Sequence, residues 1–104
     1  MVNLCRTAVF VSVLVVAPCV FAQSSSSRTL ARTQNKVGWD YLNREQFENA
    51  VKAFQEAVEA DASFEMPWYG LGRAHLALKQ FVSATSALTR CRDLYVAQVG
   101  RQFT

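Results

Sequence analysis

The sequence predicts an all-α chain of tandem antiparallel helix–turn–helix repeats, an α-solenoid, on two observations. The first is an internal echo. Val37-Gly38-Trp39-Asp40-Tyr41 returns further along as Leu71-Gly72-Arg73-Ala74-His75. The same offset matches Phe47 with Phe81, Ala50 with Ala84, Phe54 with Leu88 and Ala57 with Cys91. Several matches in one unbroken register mark two copies of one supersecondary unit. The second observation is periodicity. From Thr29 onward apolar residues recur at i, i+3, i+4 and i+7, the spacing of one packed helix face. No strand candidate follows the leader.

At 104 residues the chain holds at most one domain. Residues 1–22 read as a secretory signal peptide: Asn3 to Arg6 is short and basic, Thr7 to Val16 is almost wholly apolar, and Pro18 ends the run. Val20 and Ala22 fit the −3 and −1 positions of a cleavage site, so Gln23 would begin the mature, secreted or periplasmic chain. An uncleaved anchor would need about 20 apolar residues. A lipid anchor on Cys19 is the remaining alternative, but Pro18 stands where such motifs want a small residue. Cleavage removes Cys5 and Cys19 and leaves Cys91, which cannot form an internal disulfide and is expected as a small buried packing residue.

Residues 23–29 form a Ser-rich spacer with nothing to bury, expected to be disordered, and the helical domain is expected over 30–104. The first helix is expected over about Leu30 to Leu42, with Leu30, Val37, Gly38, Tyr41 and Leu42 on its packed side. Gly38 and Gly72 each cost about 1 kcal/mol relative to Ala in a helix interior. Close approach of a neighbouring helix is the reason to keep them. A turn near Arg44 to Gln46 leads to a second helix over Phe47 to Ala60. Asp61-Ala62-Ser63 turns again, with Ser63 as candidate N-cap. The third helix runs from about Phe64 to Leu78, with Pro67 in its first turn, where a missing N–H is harmless. The fourth starts near Gln80 or Phe81 and is expected to pack through Val82, Ala84, Leu88, Cys91 and Tyr95. No Gly or Pro stops it before Gly100.

These residues resemble the tetratricopeptide repeat (TPR), a helix–turn–helix unit of about 34 residues. Repeat one, 31–64, carries Val37, Gly38, Tyr41, Ala50, Phe54 and Ala57 at the family's packing positions; repeat two, 65–98, carries Trp68, Leu71, Gly72, Ala84, Leu88 and Cys91. Gln34 departs from the family's Trp, His75 from its Tyr, and Ala62 and Val96 from its Pro. The resemblance covers the chain after the spacer and rests on packing residues, so it implies a fold more than a function.

The resemblance implies that the first helix of each hairpin lines a concave, partner-binding groove. Carried over by repeat position, that face holds Arg32, Asn35, Trp39, Leu42 and Asn43 in repeat one. In repeat two it holds Met66, Tyr69, Arg73, Leu76 and Ala77. Trp39 and Arg73 share one repeat position, so a cation–π contact is expected between them. Aromatic residues and Arg are also the types enriched in binding hot spots. The alternative is that Trp39 and Tyr69 pack against an N-terminal segment or a further repeat. Some family members grip a C-terminal carboxylate with Lys, Asn and Arg groove residues; Asn35 and Arg73 alone do not make that clamp.

No catalytic constellation is present. His75 is the only histidine and is expected in the core, bonded to a neighbour; Cys91 has metal-ligand spacing with nothing. Hence no enzyme, cofactor or metal is expected. Residues 31–64 carry four basic and six acidic groups, and residues 65–104 five and two, so the charge is too mixed for a nucleic-acid footprint. Opposite-signed ends could favour head-to-tail contacts between copies. The expected function is an exported module that scaffolds or binds another polypeptide through the groove. The alternative is a structural part of a longer solenoid or oligomer, since about three repeats are normally needed for independent stability. The chain stops at Arg101-Gln102-Phe103-Thr104 without an evident capping helix, which favours a fragment.

Overall fold

The computed structural model describes residues 25–103. The leader 1–22 with Cys5 and Cys19, the cleavage point, the first two spacer residues and Thr104 lie outside the described residues. The described chain is all-α, without strands among the described residues. Helix α1 covers residues 25–43 of the described chain, α2 Phe47–Ala60, α3 Glu65–Ala77 and α4 Phe81–Gln102. No helix among the described residues is long and apolar enough to cross a membrane.

Helix α1 already exists at Ser25, inside the stretch expected to be a disordered spacer. Extending an existing helix needs only propagation, not a new nucleus. The hydroxyls of Thr29 and Thr33 donate to the carbonyls of Ser25 and Thr29, at 3.2 and 3.0 Å, so these polar residues find partners one turn back. Leu30, expected on the packed side, is exposed, and Ala31 is buried in its place.

Helices α1 and α2, and again α3 and α4, are joined by the same turn. Gln46 N–H bonds the Tyr41 carbonyl and Glu45 N–H that of Leu42; at the matching positions of the second repeat, Gln80 N–H bonds His75 and Lys79 N–H bonds Leu76. The paired 6→1 and 5→2 bonds form a Schellman motif. Its left-handed residue is Glu45 in the first turn and Lys79 in the second, at φ 60° and 61°.

The α2–α3 turn is held differently. Ser63 is not the cap of α3: Phe64 takes the cap position with no side-chain bond. Asp61 Oδ1 instead accepts from both the backbone N–H of Ser63, at 3.1 Å, and its hydroxyl, at 2.6 Å. Trp68 Nε1–H donates to the Ala62 carbonyl at 2.9 Å and ties the loop to α3. Because both bonds converge on the carboxylate, Asp61→Ala is expected to cost about 1 kcal/mol and Ser63→Ala about half that. Urea denaturation of the two variants checks the order; a larger loss for Ser63→Ala would restore the serine as the key group.

Helix α3 packs against both α2 and α4. The buried core gathers Leu42, Ala50, Phe54, Leu71, Ala74 and Ala87, with Trp39, Phe47, Val51 and Trp68 half-buried around it. The interior glycines have a steric reason. A Cβ on Gly38 would lie 2.6 Å from the Phe54 ring, and one on Gly72 2.5 Å from Leu88. Phe54 and Leu88 themselves hold one repeat position, so one close approach is built twice. Gly70 adds a second wall, since its Cβ would also strike the Phe54 ring. Phe54, fully buried, thus lies in a slot between the glycines of α1 and α3. Helix α4 departs most from expectation. Val82 and Tyr95 are exposed, and burial is confined to Ala84 and Ala87: Val82 falls on the side of α4 away from them, and Tyr95 lies beyond the 13-residue span of α3.

Candidate binding surface

The sequence-predicted residues separate into a connected cluster, its flanks and one core residue. Trp39 on α1 is the hub. Its ring meets Phe54 edge-on at 5.5 Å between centroids and Tyr69 of α3, tilted, at 5.9 Å. The Arg73 guanidinium stands over the same ring at 5.8 Å, within cation–π range. Asn35, one turn before Trp39, accepts the indole N–H on Oδ1 at 3.1 Å and fixes the ring's orientation. The shared repeat position of Trp39 and Arg73 therefore becomes a contact in space.

Met66, Tyr69 and Leu76 are 42%, 43% and 46% exposed, while Arg73 is also exposed. They follow i, i+3, i+7 and i+10 along α3, an apolar stripe interrupted by one cation. Arg32 and Asn43 are exposed at the two ends of the corresponding α1 row. The whole set holds two guanidinium groups and no carboxylate.

Leu42 is the correction. It is 8% exposed and belongs to the core, so it presents nothing to a partner. Its counterpart Leu76 is exposed because Leu42 packs with Leu71, Ala74 and Ala87 of the second hairpin, and no described element covers Leu76 in the same way. Sequence reasoning also left out Phe54 and Gly70 as supports of the surface. The signal was the doubled glycine Gly70-Leu71-Gly72, two bare positions facing two different helices.

His75 is buried, and its Nδ1–H donates to Gln80 Oε1 at 2.6 Å, a satisfied core histidine. Cys91 is half-buried rather than buried, and burial, with the Glu65 carboxylate second, pushes its thiol above the ordinary cysteine range. That favours the unreactive protonated form. Among the described residues no group of three or more His, Cys, Asp or Glu side chains could hold a metal ion. Two of the clefts away from the Trp39 cluster are small. One, about 220 Å³, is lined by Gln34, Tyr41 and Lys52, and the other, about 250 Å³, by Arg32, Asp61 and Glu65. Both fall below the roughly 300 to 1,000 Å³ of a small-molecule site. Comparison with family models, with curated proteins and with solved structures finds no match to the chain.

Proposed function

We propose that this chain is an exported protein–protein interaction module of the tetratricopeptide-repeat type, binding a polypeptide segment across the face shared by α1 and α3. One observation carries the reading: an exposed Tyr69 and Arg73 converge on a single oriented indole, Trp39. Rigid aromatic groups beside an arginine supply contact area at low entropic cost. The partner segment, extended or helical, would bury Trp39, Tyr69 and Leu76. Arg73 and the amide nitrogen of Asn35 would donate to its backbone or to an acidic side chain. The absence of any carboxylate from the set favours an acidic, apolar segment.

Selection of displayed peptides on the wild-type chain, counter-screened on Trp39→Ala/Arg73→Ala, tests this. The selected peptides are expected to be acidic and apolar and to lose at least about tenfold in affinity for the double variant, the effect of removing a hot spot. Equal binding to both proteins would sink the proposal. The second reading, a structural segment of a longer solenoid without a groove of its own, is favoured by the exposed apolar residues of α4. It predicts that no peptide is selected.

A further inference from the structure

We propose that α4 pairs with α4 of a second copy of this chain, antiparallel and about a two-fold axis at Arg92. This pairing is independent of the binding face on α1 and α3. Helix α4 packs on α3 through Ala84, Ala87 and Leu88, the last lying over Gly72. A second face is left largely open by the other described helices, with only Val99 on it half-buried. Phe81, Thr85, Arg92, Val96, Val99 and Phe103 fall in one sector about 60° wide at 100° per residue. Phe81, Val96 and Phe103 are 62%, 60% and 85% exposed. The same face of the preceding repeat, on α2, is Phe47, Val51 and Val58, and there α3 covers it.

Two features select a second copy as the cover. The first is the symmetry of the stripe. Phe81 and Phe103 stand eleven residues before and after Arg92, and Thr85 and Val99 stand seven before and after it. Antiparallel pairing centred on Arg92 therefore sets Phe81 against Phe103 of the other copy, and Thr85 against Val99, twice each. An isologous interface requires this self-complementarity. A shallow apolar depression of about 420 Å³ over Phe81, Val82, Thr85 and Ser86 would receive the other copy's Phe103. The second is charge. Arg92 is bonded to Asp93 at 3.0 Å, so the axis brings together two guanidinium and two carboxylate groups, a neutral set.

Head-to-tail stacking, which the opposite net charges of the two halves suggested, lacks a fitting surface. Where α3 presents buried Pro67, Gly70 and Ala74, α1 presents exposed Thr33, Lys36 and Asp40. α1 cannot lie on α4 as α3 lies on α2. The exposed parts of Phe81, Val96 and Phe103 amount to about 400 Å² at roughly 200 Å² per aromatic ring, half of one side of a standard interface. The dimer is accordingly weak and concentration-dependent.

Sedimentation velocity of the full chain, from low micromolar to near-millimolar concentration, tests the proposal. A monomer–dimer equilibrium is expected. Phe81→Lys and Phe103→Glu should each weaken it by about tenfold or more, because a charge would be buried without a partner. Both sites are exposed, so far-UV circular dichroism should not change. The double variant Phe81→Lys/Phe103→Glu should regain dimerisation, since each new lysine then faces a glutamate of the other copy. Absence of association at every concentration overturns the proposal. So does association indifferent to the single substitutions, which would place the contact elsewhere. A double variant as weak as the single ones overturns the antiparallel pairing and points to another cover for α4.

Discussion

Replacing Phe54 with alanine is expected to remove a large part of the stability of the domain. The ring is fully buried, walled by Gly38 and Gly70, and carries Trp39 on its edge. Loss of a buried phenylalanine costs about 3 to 5 kcal/mol, as transfer energy and as the cavity left behind. A domain of this size has about 4 to 12 kcal/mol in total. The glycines cannot refill the space, because they have no side chains to move into it. Thermal unfolding followed by circular dichroism should show the midpoint of Phe54→Ala lowered by about 12 to 40 °C. Phe54→Leu should fall less, since leucine fills part of the slot. A transition for Phe54→Ala within a few degrees of the wild type would show that the slot is not the centre of the fold.

Gly70→Ala and Gly100→Ala are expected to move stability in opposite directions. Both glycines sit in helices, where alanine is better by about 1 kcal/mol on propensity alone. At Gly100 a Cβ meets nothing within 4 Å, so the gain should be realised. At Gly70 it would overlap the Phe54 ring. Overpacking a tight core costs about 1 to 3 kcal/mol, so the clash should outweigh the propensity. The overlap is with a side chain, so combining Gly70→Ala with Phe54→Leu should cost less than the sum of the two. Urea midpoints of the four variants measure all these terms. A stabilising Gly70→Ala would mean that Phe54 has room to shift.

The helices were legible because their signals are local. Phe47 to Ala60 follows an uninterrupted apolar period between two turns, and its observed bounds are the expected ones. Trp39 and Arg73 were legible as neighbours because a fixed offset converts sequence register into spatial register. What could not be read depends on what lies opposite. Leu42 and Leu76 share a repeat position, yet one is core and the other surface, because burial depends on the next element and not on the residue. Ser63 looked like a cap, but its hydroxyl is bonded to the carboxylate two residues earlier, and Phe64 stands at the helix start. Val82 and Tyr95 have the composition of a packed face, yet Val82 falls on the far side of α4 and the short span of α3 leaves Tyr95 bare.

The edge-on contact between Trp39 and Phe54 joins the candidate surface to the core through a single pair of rings. Recognition and folding then draw on the same side chains. A ligand that fastens the indole from outside also fastens the phenyl ring beneath it. Its affinity should therefore register as a rise in melting temperature of the whole domain, growing with the logarithm of ligand concentration. The reverse holds by the same linkage: any substitution that loosens Phe54 should weaken binding at Trp39 without touching the ligand.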